Sequence, residues 1–89
     1  MLFQGQDTKM DQYYTALAEA LQDRLAVIAD HQLRGQNPEA HFARLKQASE
    51  RIEQLRSQLP SNADPMLDHY LGRASLSKAL ELVQERYLR

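Results

Sequence analysis

The sequence predicts an all-α protein built around an antiparallel helical hairpin, and three observations lead to that prediction. Gly and Pro contribute only three residues each to a chain of 89, so few positions interrupt a helix. Leu and Ala dominate the apolar residues, whereas the β-branched Val and Ile that favour strands are scarce. Apolar residues also recur every three or four positions, which is the spacing of one helical face.

The first predicted helix covers about residues 10–34. Asp7 or Thr8 is a suitable N-cap, and Gly35 fits the left-handed residue that follows a helix C-terminus. Its apolar residues form one stripe along the helix: Met10, Tyr14, Leu17, Leu21, Leu25 and Ile28.

Residues 1–9 have two interpretations, and we base no function on them. They are either a natural N-terminal arm or a remnant of an expression vector. The second interpretation arises because Leu2-Phe3-Gln4-Gly5 resembles the recognition core of a picornaviral 3C-type protease, which is a common cleavage element in recombinant proteins.

The second predicted helix covers about residues 38–59. Asn37 is a good N-cap, Pro38 suits the first helical position, and Pro60 prevents continuation. Its stripe alternates steps of three and four, as a short coiled-coil seam does: Leu45, Ala48, Ile52, Leu55 and Leu59. The connection over 34–37 is short, which makes the two helices antiparallel neighbours. We expect one shared core of Leu17, Leu21, Ile28, Leu45, Ile52 and Leu55.

The third predicted helical block covers about residues 65–88, with a break near 72–75. Asp64 followed by Pro65 repeats the Asx-Pro signature of a helix start. Gly72 can end a first segment with a positive φ, and Ser75 can cap a second. A continuous helix would place Lys78 in the apolar stripe, which favours the break. Residues 10–89 are therefore expected to form a single helical domain.

The composition excludes several classes of function. The chain has no Cys, which excludes disulfides, thiolate metal sites and a Cys nucleophile. A net charge of −1 provides no general attraction to nucleic acid or to an anionic membrane. No apolar run approaches the roughly 20 residues that cross a bilayer. We therefore expect a cytoplasmic protein with no membrane partner.

No catalytic, cofactor or metal site is predicted, so we expect a protein that is not an enzyme. His31 and His41 flank the predicted turn, but they lack the spacings of helix-borne metal ligands, and ordinary surface histidines are the simpler explanation. Asp68 and His69 are adjacent on a helix and therefore point about 100° apart. The chain contains no Gly-rich phosphate loop.

A nucleic-acid-binding regulator is the alternative function, using a helix-turn-helix-like segment at 65–88. The ten residues from Leu71 to Leu80, LGRASLSKAL, resemble a stretch of Fis-type helix-turn-helix domains. Two residues that usually separate the Gly from the Arg are missing here. Glu81 and Glu85 would also face phosphates where cations are required, so nucleic acid is not the expected partner.

The preferred function is a helical interaction or scaffold module, such as an adaptor, a small chaperone or a regulatory subunit. The predicted interface residues are apolar or aromatic and lie off the main stripes or at their ends: Tyr13, Tyr14, Val27, Leu82 and Tyr87. Residual apolar surface of this kind predicts a homodimer with a four-helix core, or association with another helical protein. The competing prediction is a monomeric three-helix bundle.

Overall fold

A computed structural model describes the backbone of residues 4–88 and the side chains of residues 12–88. Five helices follow one another along this part of the chain: α1 (Gln4–Ala29), α2 (His31–Gln36), α3 (Pro38–Ser57), α4 (Pro65–Gly72) and α5 (Leu76–Arg86). No strand occurs between residues 4 and 88. The predicted all-α fold is therefore confirmed.

Helices α1 and α3 form the predicted antiparallel hairpin. Near one end, the Tyr13 hydroxyl donates to the Leu55 carbonyl at 2.6 Å. Near the other end, His41 Nε2 lies 2.8 Å from the Val27 carbonyl. Early residues of α1 therefore meet late residues of α3, and late residues of α1 meet early residues of α3.

The first predicted helix has different bounds in the structure. It begins at Gln4, so Asp7 and Thr8 lie within α1, and it ends at Ala29 instead of Arg34. The Asp30 carboxylate accepts the Leu33 N–H at 3.0 Å and thereby starts the separate helix α2. This side-chain bond competes with continuation of α1. Gly35 lies within α2 and does not have a positive φ, so its predicted role is wrong.

Both Asx-Pro signatures start helices as predicted. The Asn37 side chain accepts the Ala40 N–H at 3.1 Å at the start of α3. The Asp64 side chain accepts the Met66 N–H at 2.9 Å at the start of α4. Helix α3 ends at Ser57, two residues before its predicted end.

The third block folds back and packs on the hairpin, with α5 lying against α1 and α4 against α5. Arg56 Nε donates to the Asp68 carboxylate at 2.9 Å, which joins α3 to α4.

The buried apolar residues come from all four of the longer helices: Tyr14, Leu17, Ala18, Ala20, Leu21, Ile52, Leu67, Leu71, Leu76, Ala79 and Val83. Ile28 is 44% exposed, so its predicted place in the core is wrong, while Leu45 and Leu55 are half-buried.

The predicted break at 72–75 is present, but the left-handed residue is Ala74 and not Gly72. Ala74 has a φ of 56°, whereas Gly72 keeps a negative φ as the last residue of α4. Gly72 instead allows a close approach, because a Cβ there would lie 2.9 Å from the Arg56 guanidinium. The break resets the helical phase, so α5 buries Ala79 and exposes Lys78.

We expect Ala74→Gly to stabilise the protein. A left-handed conformation costs an L-residue with a Cβ roughly 1–2 kcal/mol, and glycine at this position avoids that cost. Part of this gain in stability is lost because glycine has greater conformational freedom in the unfolded chain. The net increase in the free energy of unfolding should be up to about 1 kcal/mol by urea denaturation. The matched control is Ala43→Gly on an exposed turn of α3, which should destabilise by roughly 0.5–1 kcal/mol. Equal losses for both variants would contradict the left-handed assignment.

Leu21 and Ile28 share one stripe of α1 but should differ in their contribution to folding. Leu21 is fully buried, so Leu21→Ala should lower the free energy of unfolding by about 2–5 kcal/mol. Ile28→Ala should cost less than about 1.5 kcal/mol, because nearly half of the side chain already meets solvent. Chemical denaturation of the two variants measures both values, and a similar loss in each would refute the observed boundary of the core.

Candidate interaction surface

The predicted interface tyrosines belong to an aromatic cluster inside the chain. The Tyr14 and Tyr87 rings are stacked with their centroids 3.8 Å apart, and Tyr13 meets Tyr14 edge-on at 5.1 Å. The Tyr87 hydroxyl accepts the Asp64 N–H at 2.9 Å. Tyr14 is only 2% exposed, so it offers almost no surface to a partner.

Burial perturbs the ionisation of two of these phenols. Desolvation raises the pKa of Tyr13 above its ordinary value of 10. Desolvation also raises the pKa of Tyr14, and the adjacent phenol of Tyr87 increases the shift. The Tyr14 hydroxyl is buried and has no hydrogen-bond partner among the described residues. Tyr14 thus contributes apolar contact area, whereas the hydroxyls of Tyr13 and Tyr87 are both hydrogen-bonded.

We expect the protein to lose stability in alkali because of these phenols. Tyr13 and Tyr14 keep their protons to higher pH in the folded state than in the unfolded chain, so the unfolded chain ionises first. The free energy of unfolding should therefore fall as the pH rises through about 10. Tyr14→Phe should weaken that fall and cost little near neutral pH, since the hydroxyl is unpaired. Urea denaturation over a pH series tests this, and an unchanged pH dependence in the variant would exclude the proposed cause.

Val27 and Leu82, the other predicted interface residues, are both half-buried. The Val27 carbonyl contacts the buried His41 ring, while the Val27 side chain lines a shallow cavity between α1 and α3 on the side facing away from α4 and α5. Leu82 packs against the core and lines a cavity between α4 and α5. The interface assignment of all five residues stays a prediction.

The segment predicted to resemble a helix-turn-helix does form a helix, a turn and a second helix. The cavity between α4 and α5 carries both signs of charge, because Lys78 and Arg86 line it together with Asp64, Glu81 and Glu85. Carboxylates at this position repel a phosphate backbone. Nucleic-acid binding stays a prediction that this charge distribution disfavours.

The described histidines do not form a cluster with other metal-ligating residues. His31 is exposed, whereas His41 is buried against α1. Among the residues that the structure describes, no three His, Asp or Glu side chains lie close enough together to hold a metal ion. In the same part of the chain, no helix is both long and apolar enough to cross a membrane.

The largest exposed apolar side chains of the hairpin lie where α4 and α5 no longer cover it. Ile28 follows the buried Leu21 by seven residues, so both lie on the same face of α1. On α3, Ser49 and Ile52 face the α4–α5 turn across a small cavity. Phe42 precedes Ser49 by seven residues and therefore lies on that same side, beyond the turn. Phe42 is 68% exposed.

We name this region the distal face and define it by Leu25, Ile28, Phe42 and Leu45. Leu25 precedes Ile28 by three positions on α1, and Leu45 follows Phe42 by three positions on α3, so each half-buried leucine neighbours one of the exposed side chains. Leu45 does not pack against the buried core, and Ile28 and Phe42 are exposed. The sequence placed Ile28 in the core because helical phase groups it with Leu21, but helical phase alone cannot show where α5 begins.

A groove lies at the edge of the distal face, between α1 and the start of α5. It encloses about 380 Å³. Its apolar lining is Leu25, Ile28 and Leu76, and its charged lining is Arg24 and Lys78. Three small residues complete it: Ala74, Ser75 and Ser77. We name it the turn groove.

Comparison with known proteins adds no functional assignment, since no family model, curated protein or solved structure matches this chain.

Proposed function

We propose that this protein is a non-enzymatic helical interaction module that binds another helical surface through its distal face. A second copy of the chain is the partner that we propose. The observation that carries this proposal is the exposure of two large apolar side chains of the hairpin, Ile28 on α1 at 44% and Phe42 on α3 at 68%.

The energetics of burial support this function. Covering a large apolar side chain contributes roughly 1.5–3 kcal/mol relative to leaving it in water. Soluble monomers rarely leave a contiguous apolar surface larger than a few hundred Å² exposed. The distal face is formed by two packed helices, so a helix or helical hairpin can cover it by ordinary helix-on-helix packing.

The small net charge of the chain permits a second copy as the partner. Two chains of net charge −1 repel each other only weakly, so like charge does not oppose their association. Twofold pairs are also the commonest soluble oligomers, because one self-complementary surface then suffices. The proposal retains the expected homodimer but places its interface on the distal face instead of on Tyr13, Val27 and Leu82.

The test is to add one carboxylate at an exposed position of the distal face. Phe42→Glu and Ile28→Glu should each weaken the dimer at least about tenfold, because a buried unpaired charge is costly. Sedimentation at low-micromolar concentration measures the dissociation constant, and circular dichroism checks that the helices persist. The matched control is Gln84→Glu, at an exposed residue of α5, which adds the same charge away from the distal face.

Two results would contradict the proposal. A single wild-type species at the chain mass of 10.3 kDa would exclude self-association. A wild-type dimer that Gln84→Glu weakens as much as Phe42→Glu would show that the distal face is not the interface.

A further inference from the structure

We propose that Phe42 and Glu39 of one copy dock into the turn groove of a second copy, and that the second copy returns the same contact. Phe42 would occupy the apolar part of the groove, and Glu39 would pair with Lys78 and Arg24 on its edge. This inference rests on the proposed self-association and specifies which residues meet.

The turn groove is suited to an apolar side chain that has a carboxylate beside it. Leu25, Ile28 and Leu76 supply its apolar surface, and its charged lining among the described residues consists of the two cations Arg24 and Lys78. Arg24 Nε donates to Ser49 Oγ at 2.7 Å, which fixes the guanidinium plane and leaves its other N–H groups to a further acceptor. Lys78 is exposed.

The start of α3 presents the complementary pair. Phe42 is the most exposed large apolar side chain among the described residues. Glu39 precedes it by three positions, so the two side chains are neighbours on the helix surface. Glu39 is exposed, and it forms no ion pair within the described part of the chain.

The arrangement permits a closed twofold pair. Phe42 and the turn groove both lie on the side of the hairpin that α4 and α5 cover in part. A twofold axis parallel to that side, passing between Phe42 and the groove, turns the second copy to face the first and brings each Phe42 towards the groove of the other copy. The contact is isologous, and it closes after two copies instead of growing into a filament.

Charge distinguishes this groove from two other cavities of comparable size. The cavity between α4 and α5 carries Asp64, Glu81 and Glu85, which would repel Glu39. The cavity on the opposite side of α1 and α3 contains Asp23, whose carboxylate lies 3.5 Å from Arg51. Of these three cavities, the turn groove alone offers cations without a described carboxylate on its lining.

The experiment exchanges the charges of the proposed pair. Lys78→Glu and Glu39→Lys should each weaken the dimer roughly tenfold, because each replaces two reciprocal attractions by two repulsions. The double variant Lys78→Glu/Glu39→Lys should restore a dissociation constant within about threefold of the wild-type value. The matched controls are Arg44→Glu and Glu19→Lys, which reverse the charge of exposed residues away from the groove and should change the constant less than about threefold.

A mixture of the two single variants provides an independent readout. The Lys78→Glu variant has carboxylates at both positions of the pair, and the Glu39→Lys variant has ammonium groups at both. Only the mixed dimer therefore brings opposite charges together. At one contact the native Glu39 meets the native Lys78, and at the other the two introduced residues meet with their charges exchanged. Native mass spectrometry with one variant labelled with ¹⁵N should show the heterodimer in excess over both homodimers.

The outcomes separate this inference from the proposed function. If Phe42→Glu disrupts the dimer but the charge exchange neither restores it nor favours the heterodimer, the docking of Glu39 is wrong and the distal face remains the interface. If the wild-type chain is a monomer, both the docking and the self-association are wrong. Circular dichroism of each variant ensures that loss of the dimer is not loss of the fold.

Discussion

The structure depends on one constraint, which is the shortness of the third layer relative to the hairpin that it covers. Helix α5 has 11 residues and α4 has eight, whereas α1 has 26 and α3 has 20. At 1.5 Å per residue, α5 spans about 16 Å and α1 about 39 Å. A third layer of this length can bury only part of the apolar stripe of α1. The division between a buried core and an exposed distal face follows from these lengths.

The aromatic cluster determines which part of the hairpin is covered. Tyr87 at the end of α5 stacks on Tyr14 and accepts a hydrogen bond from the loop residue Asp64. These two contacts fix the C-terminal end of α5 beside the first half of α1. Because α5 runs from that point for only three turns, its first residue, Leu76, lies beside Leu25. Ile28 is nearly one further turn along α1 and is left partly uncovered.

Local signals in the sequence predicted local structure well, and the errors concern features that depend on distant contacts. Asn37-Pro38 and Asp64-Pro65 each start a helix, because a cap and a fixed φ act within a few residues. The break near Gly72 was predictable for the same reason, although the strained conformation falls on Ala74. Ile28 was assigned wrongly because a helical stripe has the same period whether or not another helix covers it. The exposure of Phe42 was not predicted, because it depends on where α5 begins.

The core of the fold and the proposed interface therefore both use apolar residues of one continuous stripe on α1. Leu17 and Leu21 stabilise the fold because α5 lies over them. Ile28 has the same helical phase, but α5 covers less of its side chain. Position along the stripe, and not residue type, decides whether an apolar side chain contributes to the stability of the monomer or is free to contact a partner. The α4–α5 turn marks the boundary, where Leu76 is buried and Lys78 is exposed. The proposed second copy docks at this boundary, where α5 begins and Ile28 is only partly covered.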